Sequence, residues 1–286
     1  SFVEQAWETD MLGHADPIQL LNPIASQLAV MRSSLLPGLV ANICYNANRK
    51  QSRVRVFELG RVFKRANAMA DGALTVAGVD QPQYLAAAAW GPVTEDQWGQ
   101  KSRAVDFFDV KRDLEVLFSA HAQQLRFVPA QHALLHPGRS ARVELGQVAI
   151  GWLGELHPEL VRSLGFAVPP CLFEIDVDSA LAVRYAAFEA PSRFPQVRRD
   201  LAFIVEENVA ARTIIDAVES AKVSGFRHSF VFDVYRGAGI ETGRKSVALG
   251  LILQDKDRTL TDQETGHIVA RVRDALRSSC GAVFRE

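Results

Sequence analysis

From Ser192 onward, two-residue and 3.6-residue hydrophobic periods follow one another in a fixed order. RRDLAFIVEE alternates as a strand, AARTIIDAVESAK repeats as a helix, and two further alternating runs meet at a glycine-rich turn. A second helix opens at Thr261, which forms a T-x-x-E capping box with Glu264, and it stops at Cys280-Gly281. AVFR supplies a last short strand. The order β-α-β-β-α-β leaves few topologies, because both helices must cover the same side of one sheet.

That order is the split βαβ, or ferredoxin-like, unit, and it leaves one sheet face free. In FDVYRGAGIETGRKSVALGLIL the period places Phe230, Phe232 and Val234 on the expected core face, with Asp233 and Tyr235 on the other. After a turn at Gly237, Gly239 and Gly243, Val247, Leu249, Leu251 and Leu253 continue the core face, and Ser246, Ala248 and Gly250 the free one. The free face is therefore expected to be flat, small and polar, with one carboxylate and one ring. A tyrosine ring on such a face can stack a nucleobase for ~1–3 kcal/mol, which is how unpaired loops are read. A carboxylate accepts two hydrogen bonds and suits the paired N–H donors of guanine. The competing readings are an ordinary solvent-facing strand and a regulatory module, since ferredoxin-like domains also bind small molecules.

Upstream, helices and strands mix. MRSSLLPGLVANICYNANRKQ reads as a break at Pro37-Gly38 followed by a helix with Leu39, Ile43 and Ala47 on one stripe. VRVFELGRVFKR, QYLAAAAWG, LRFVPA, SARVELGQVAIGWLGEL and CLFEIDVD read as strands, with a turn at Gly146-Gln147 and a hairpin loop over 66–82. DFFDVKRDLEVLFSAHA and HPELVRSLG read as helices. Hairpin-joined strands mixed with helices favour an antiparallel α+β sheet over a doubly wound one. The two prolines of FEAPSRFPQVRRD mark the best boundary between domains.

At 286 residues, 48% hydrophobic and 23% charged, the composition is that of a globular chain. A net charge of -1 argues against nucleic-acid binding by charge alone, and the 15 basic and 13 acidic side chains from Ser192 onward make no basic patch. Cys44, Cys171 and Cys280 lack metal or redox spacing and fit a reducing cytosol. No apolar run approaches the ~20 residues of a membrane helix, so no membrane contact is expected. His132 and His136 have a ligand-like spacing, but with no third ligand and with Pro137-Gly138 next to them, metal binding is not expected. No serine, cysteine or histidine constellation points to nucleophilic catalysis. The opening SFVEQAW, without Met, reads as a piece cut from something longer.

SRFPQVRRDLAFIVEE, FDVYRG, GRKSVALGLILQ and RTLTDQE resemble the ferredoxin-fold anticodon-binding domain of the bacterial phenylalanyl-tRNA synthetase β subunit. NPIASQLAVMRSSLLPGLVANICYNANR and VRVFELGRVF resemble the domain before it in the same subunit. The resemblance implies a catalytically silent class II synthetase-like domain over 1–188 and an anticodon-binding domain over 192–285. It puts the family's guanine-recognising aspartate at Asp233, its stacking tyrosine at Tyr235 and a serine contact at Ser246. It implies a cytoplasmic heterotetramer that attaches phenylalanine to tRNA-Phe with ATP and Mg²⁺. This chain would bind tRNA-Phe and the α subunit, with no catalytic residue, metal or cofactor of its own; the family's magnesium-bearing acidic cluster lies upstream of Ser1. Leu36, Leu39 and Ile43 would then serve the contact with α as readily as a private core. Arg55 and Glu58 sit one position wider than the Arg-x-Glu of ATP-binding class II sites, so an ATP site is not expected. Arg198 and Arg199 either touch the tRNA backbone or flank Asp200.

Overall fold

A computed structural model describes residues 1–73, 75–121, 124–182 and 190–284. Leu74 in the expected 66–82 loop, Ala122 at the end of the second helical run, residue 188 at the expected close of the first domain and Arg285 in AVFR lie outside them. The chain divides into two units, Ser1–Ala187 and Phe188–Glu286.

The first unit is built on six strands: β1 (Val54–Arg61), β2 (Gln83–Trp90), β3 (Leu125–Pro129), β4 (Leu135–Leu145), β5 (Val148–Leu156) and β6 (Cys171–Asp176). They pair antiparallel in the order β1-β2-β6-β5-β4-β3. The central strands β2, β6 and β5 have buried residues on both sides, so the sheet needs cover on both. Helix α1 (Leu36–Ala47) covers one side and α2 (Phe107–Leu117) the other. On the α2 side Val110 and Leu114 pack with Leu153, Phe173 and Ile175. Two short helices, α3 (Pro158–Ser163) and α4 (Val177–Leu181), complete the unit.

Two expectations change here. The helix does not wait for Pro37-Gly38 but begins at Leu36 and takes the proline into its first turn, where a missing N–H costs nothing. Leu36, Leu39 and Ile43 are 0%, 4% and 0% exposed and pack on Ala86, Ala88 and Leu172, so they form a private core and are not available to a partner.

The start of α1 has no side-chain cap of its own. Two buried carboxylates from elsewhere take its approach instead. Glu8 accepts from the Ser33 amide at 2.9 Å and the Ser33 hydroxyl at 2.5 Å. Glu174, on β6, accepts from the Leu35 amide at 2.6 Å and the Ser34 hydroxyl at 2.9 Å. Burial pushes the Glu174 carboxyl up to about 7, against the pull of those two hydrogen bonds. The folded state thus holds this proton more tightly than an unfolded chain, whose glutamate titrates near 4.5. The group's contribution is fully present below the unfolded value and is lost as pH rises toward about 7. At 1.36 kcal/mol per unit, the loss amounts to at most about 3 kcal/mol. We expect Glu174→Gln to flatten the pH dependence of unfolding of the full chain between those two values. An unchanged slope in calorimetry would contradict the assignment.

The second unit contains β7 (Val197–Glu206), α5 (Ala211–Ser220), β8 (Phe226–Tyr235), β9 (Arg244–Leu253), α6 (Asp262–Cys280) and β10 (Val283–Phe284). The sheet order is β8-β9-β7-β10, all antiparallel. Leu201, Phe203 and Val205 join Val247, Leu249 and Leu251 on one face, under Ile214 and Val218 of α5 and Val272 and Leu276 of α6. The Thr261–Glu264 capping box forms, and α6 stops at Gly281 as its sequence indicates. Cutting Leu276, which is fully buried, to Ala should cost about 2–5 kcal/mol in denaturant unfolding, the range for a core cavity. A loss below about 1 kcal/mol would mean that α6 does not seal this core.

Strand β8 departs from simple alternation. Val231 pairs with Leu249, but the next pair is Asp233 with Ala248, so Phe232 is an extra residue in a β-bulge. Between this bulge and a second register shift after Phe226 the parity is reversed. Phe230 therefore lies opposite Gly250 on the free face, not in the core as its spacing from Val234 suggested. Phe232 is 47% exposed, and Val234, although opposite buried Val247, is 39% exposed near the end of the strand.

Candidate nucleic-acid interface

The face opposite the helices is a grid set by register. From β8 it receives His228, Phe230, Asp233 and Tyr235, and directly opposite on β9 stand Ile252, Gly250, Ala248 and Ser246. On β7 the next row is Arg198, Asp200, Ala202 and Ile204. Glycine, alanine and serine along β9 leave the middle of the grid low, with taller groups at its β8 edge.

The structure brings the three expected site residues together. Asp233 and Tyr235 are both exposed and stand one two-residue step apart, about 7 Å along the strand. Ser246 lies directly across from Tyr235. The tyrosine ring folds over the turn, where a Cβ on Gly237 would come within 2.7 Å of its hydroxyl, so a larger residue there would displace the ring. The hydroxyl donates to the Ala238 carbonyl at 3.4 Å, and the ring stays 48% exposed. Among the described residues the Asp233 carboxylate has no hydrogen bond or ion pair, which leaves both oxygens free to accept.

Cations ring the same end of the sheet. Arg236 holds Glu207 through two contacts of 2.8 and 2.9 Å, which keeps that carboxyl below its usual range. Lys245 donates to the Glu207 carbonyl at 2.7 Å, and Arg244 lies 3.2 Å from Glu206. Exposed ion pairs of this kind stabilise a fold little.

The two arginines on β7 separate. Arg198 is on the free face with its Nε on Asp200 at 2.7 Å. Arg199, opposite buried Leu251, points to the helix side and pairs with Asp262 at 3.0 Å.

Other constellations come apart. His132 accepts from the Leu134 amide and lies 5.1 Å from the Trp152 ring, and His136 accepts from the Gly138 amide. Arg55 and Glu58 take different partners, Asp113 on α2 at 2.5 Å and Arg32 at 2.6 Å. Three residues apart on a strand, they face opposite sides of the sheet and do not converge on one ligand. Among the described residues, no group of three or more His, Cys, Asp or Glu side chains is placed to hold a metal ion, and no helix is long and apolar enough to cross a membrane. A cavity of about 630 Å³ opens on the first unit, lined by Lys64, Tyr84, His132, Arg142, Trp152 and Glu174. Its residues come from separated strands and loops, so no local motif announces it.

The structure is thus an antiparallel six-stranded unit and a ferredoxin-like unit with an open acid–aromatic face. The family described as the phenylalanyl tRNA synthetase beta chain CLM domain matches residues 1–177, and the ferredoxin-fold anticodon binding domain matches residues 192–285. The chain belongs to the phenylalanyl-tRNA synthetase beta-chain family. It is 49% identical to the phenylalanine–tRNA ligase beta subunit of Bordetella bronchiseptica over 96% of this chain and 35% of that one. To the beta subunit of Ralstonia nicotianae it is 46% identical over 100% of this chain and 36% of that one. The chain thus spans about a third of the length of the curated relatives it matches. Among solved structures, a pyrrolysyl tRNA synthetase from Desulfitobacterium hafniense is similar with a TM-score of 0.43 and 14% identity, over 63% of this chain and 57% of that one. That likeness is too distant to bear on function.

Proposed function

We propose that this chain reads the anticodon of tRNA-Phe for a cytoplasmic phenylalanine–tRNA ligase. Residues 192–285 act as the reader and 1–188 as a catalytically silent, class II-like scaffold that contacts the α subunit. The observation that carries this reading is the pairing of Asp233 with Tyr235 on an uncovered sheet face, one step apart and both exposed. Tyr235 stacks the first anticodon base, Asp233 accepts the two N–H groups of a guanine edge, and Ser246 closes the opposite side. ATP, Mg²⁺ and the attachment of phenylalanine belong to the catalytic α subunit of the assembled enzyme. The opposed faces of Arg55 and Glu58 support that division. Phe57 and Leu59, 75% and 55% exposed on the edge strand β1, support a protein contact by the first unit.

The full chain should bind an anticodon stem-loop that begins with guanine, and adenine at that position should weaken binding. Tyr235→Ala should cost about 1–3 kcal/mol in a fluorescence titration. Asp233→Asn should narrow the gap between guanine and adenine. Equal affinity of the unaltered chain for both loops would count against Asp233. The chain alone should give no ATP–pyrophosphate exchange.

A further inference from the structure

Next to the Asp233–Tyr235 pair, the free face holds a second group of rings that the proposed reader does not use. The bulge at Phe232 puts Phe230 on this face, opposite Gly250. A Cβ on Gly250 would fall 2.7–3.2 Å from three atoms of the Phe230 ring, so the ring rests on bare backbone. The Phe232 ring is 6.3 Å away, tilted by 54° and half-exposed. The Arg198 guanidinium lies 5.3 Å from the Phe230 centroid and 5.1 Å from that of Phe232, held there by its bond to Asp200. Two rings, one guanidinium and a glycine floor thus meet one register step beyond Asp233, about 7 Å along the strand.

We propose that Phe230, Phe232 and Arg198 form a second stacking platform, which holds the unpaired nucleotide adjoining the guanine. This rests on the anticodon-reading proposal above. The occupant is argued from three features. The platform continues the Asp233–Tyr235 row, at a spacing one nucleotide of unstacked single strand can cover. Its cation complements a phosphodiester, and an arginine beside aromatic rings is a sequence-tolerant element of single-strand binding. On the side toward Asp233 the β9 neighbours are Gly250 and Ala248, so a planar base can settle there without displacing a bulky group. Because stacking carries no base code, the adjoining nucleotide should be gripped whatever its base.

The test uses the full chain with three anticodon stem-loops: intact, abasic just 5′ of the guanine, and abasic just 3′ of it. We expect Phe232→Ala combined with Arg198→Gln, both half-exposed positions, to weaken the intact loop roughly 5- to 150-fold, the span of one stacked base. One abasic loop should weaken the unaltered chain by a similar factor and bring no further loss in the double variant. Full-strength binding of the intact loop by the double variant, with Tyr235→Ala still weakening it, overturns the platform and leaves the reader standing. Additive losses from the double variant and both abasic loops also overturn it. Failure of the unaltered chain to bind, or to prefer guanine, overturns the reader and the platform together.

Discussion

The pairing of β8 with β9 determines what the second unit presents to solvent. Four buried aliphatic side chains, Val247, Leu249, Leu251 and Leu253, fix one face of β9 against the helices, and a slip of one residue would turn all of them outward. With β9 pinned, the extra residue at Phe232 can be absorbed only on β8. The consequence is a face with two kinds of group: an acid and a tyrosine beyond the bulge, phenylalanines and a guanidinium before it. Within the second unit β8 is an edge strand and, among the described residues, α5 and α6 pack on the opposite face, which leaves that row open to an extended ligand.

In the first unit, buried carboxylates organise the sheet's packing. Its α1 face is organised by carboxylates that position backbone. Glu8 and Glu174 together receive three consecutive residues, Ser33, Ser34 and Leu35, and so seat the helix whose apolar stripe fills the core. On the edge strand, Arg55 and Glu58 are each taken by a structural partner on a different side. Ion pairs committed to packing in this way hold the sheet and do not converge on one substrate.

Much of this was legible from local pattern. Strand alternation, the T-x-x-E cap at Thr261 and the order of elements depend on neighbours a few residues apart, and the antiparallel sheets and ferredoxin-like topology follow from them. The bulge was not legible, because an inserted residue shows only against the register of a partner strand. By local alternation alone, Phe230 and Phe232 therefore read as core residues. Pro37-Gly38 suggested a break because both residues resist a helix interior, yet the first turn tolerates them. Leu36, Leu39 and Ile43 carry no mark that separates an interface from a core. Glu8 and Glu174 gave no warning of burial, since their partners on the α1 approach are, for Glu174, more than a hundred residues away.

The most direct measurement of which side of the second unit meets RNA is an amide NMR titration of the full chain with a guanine-first anticodon stem-loop. The largest shifts are expected at Asp233, Tyr235, Ser246 and Ala248, with Gln263 and His267 on α6 unmoved. Shifts centred on α5 and α6, with the β9 row unchanged, would contradict it.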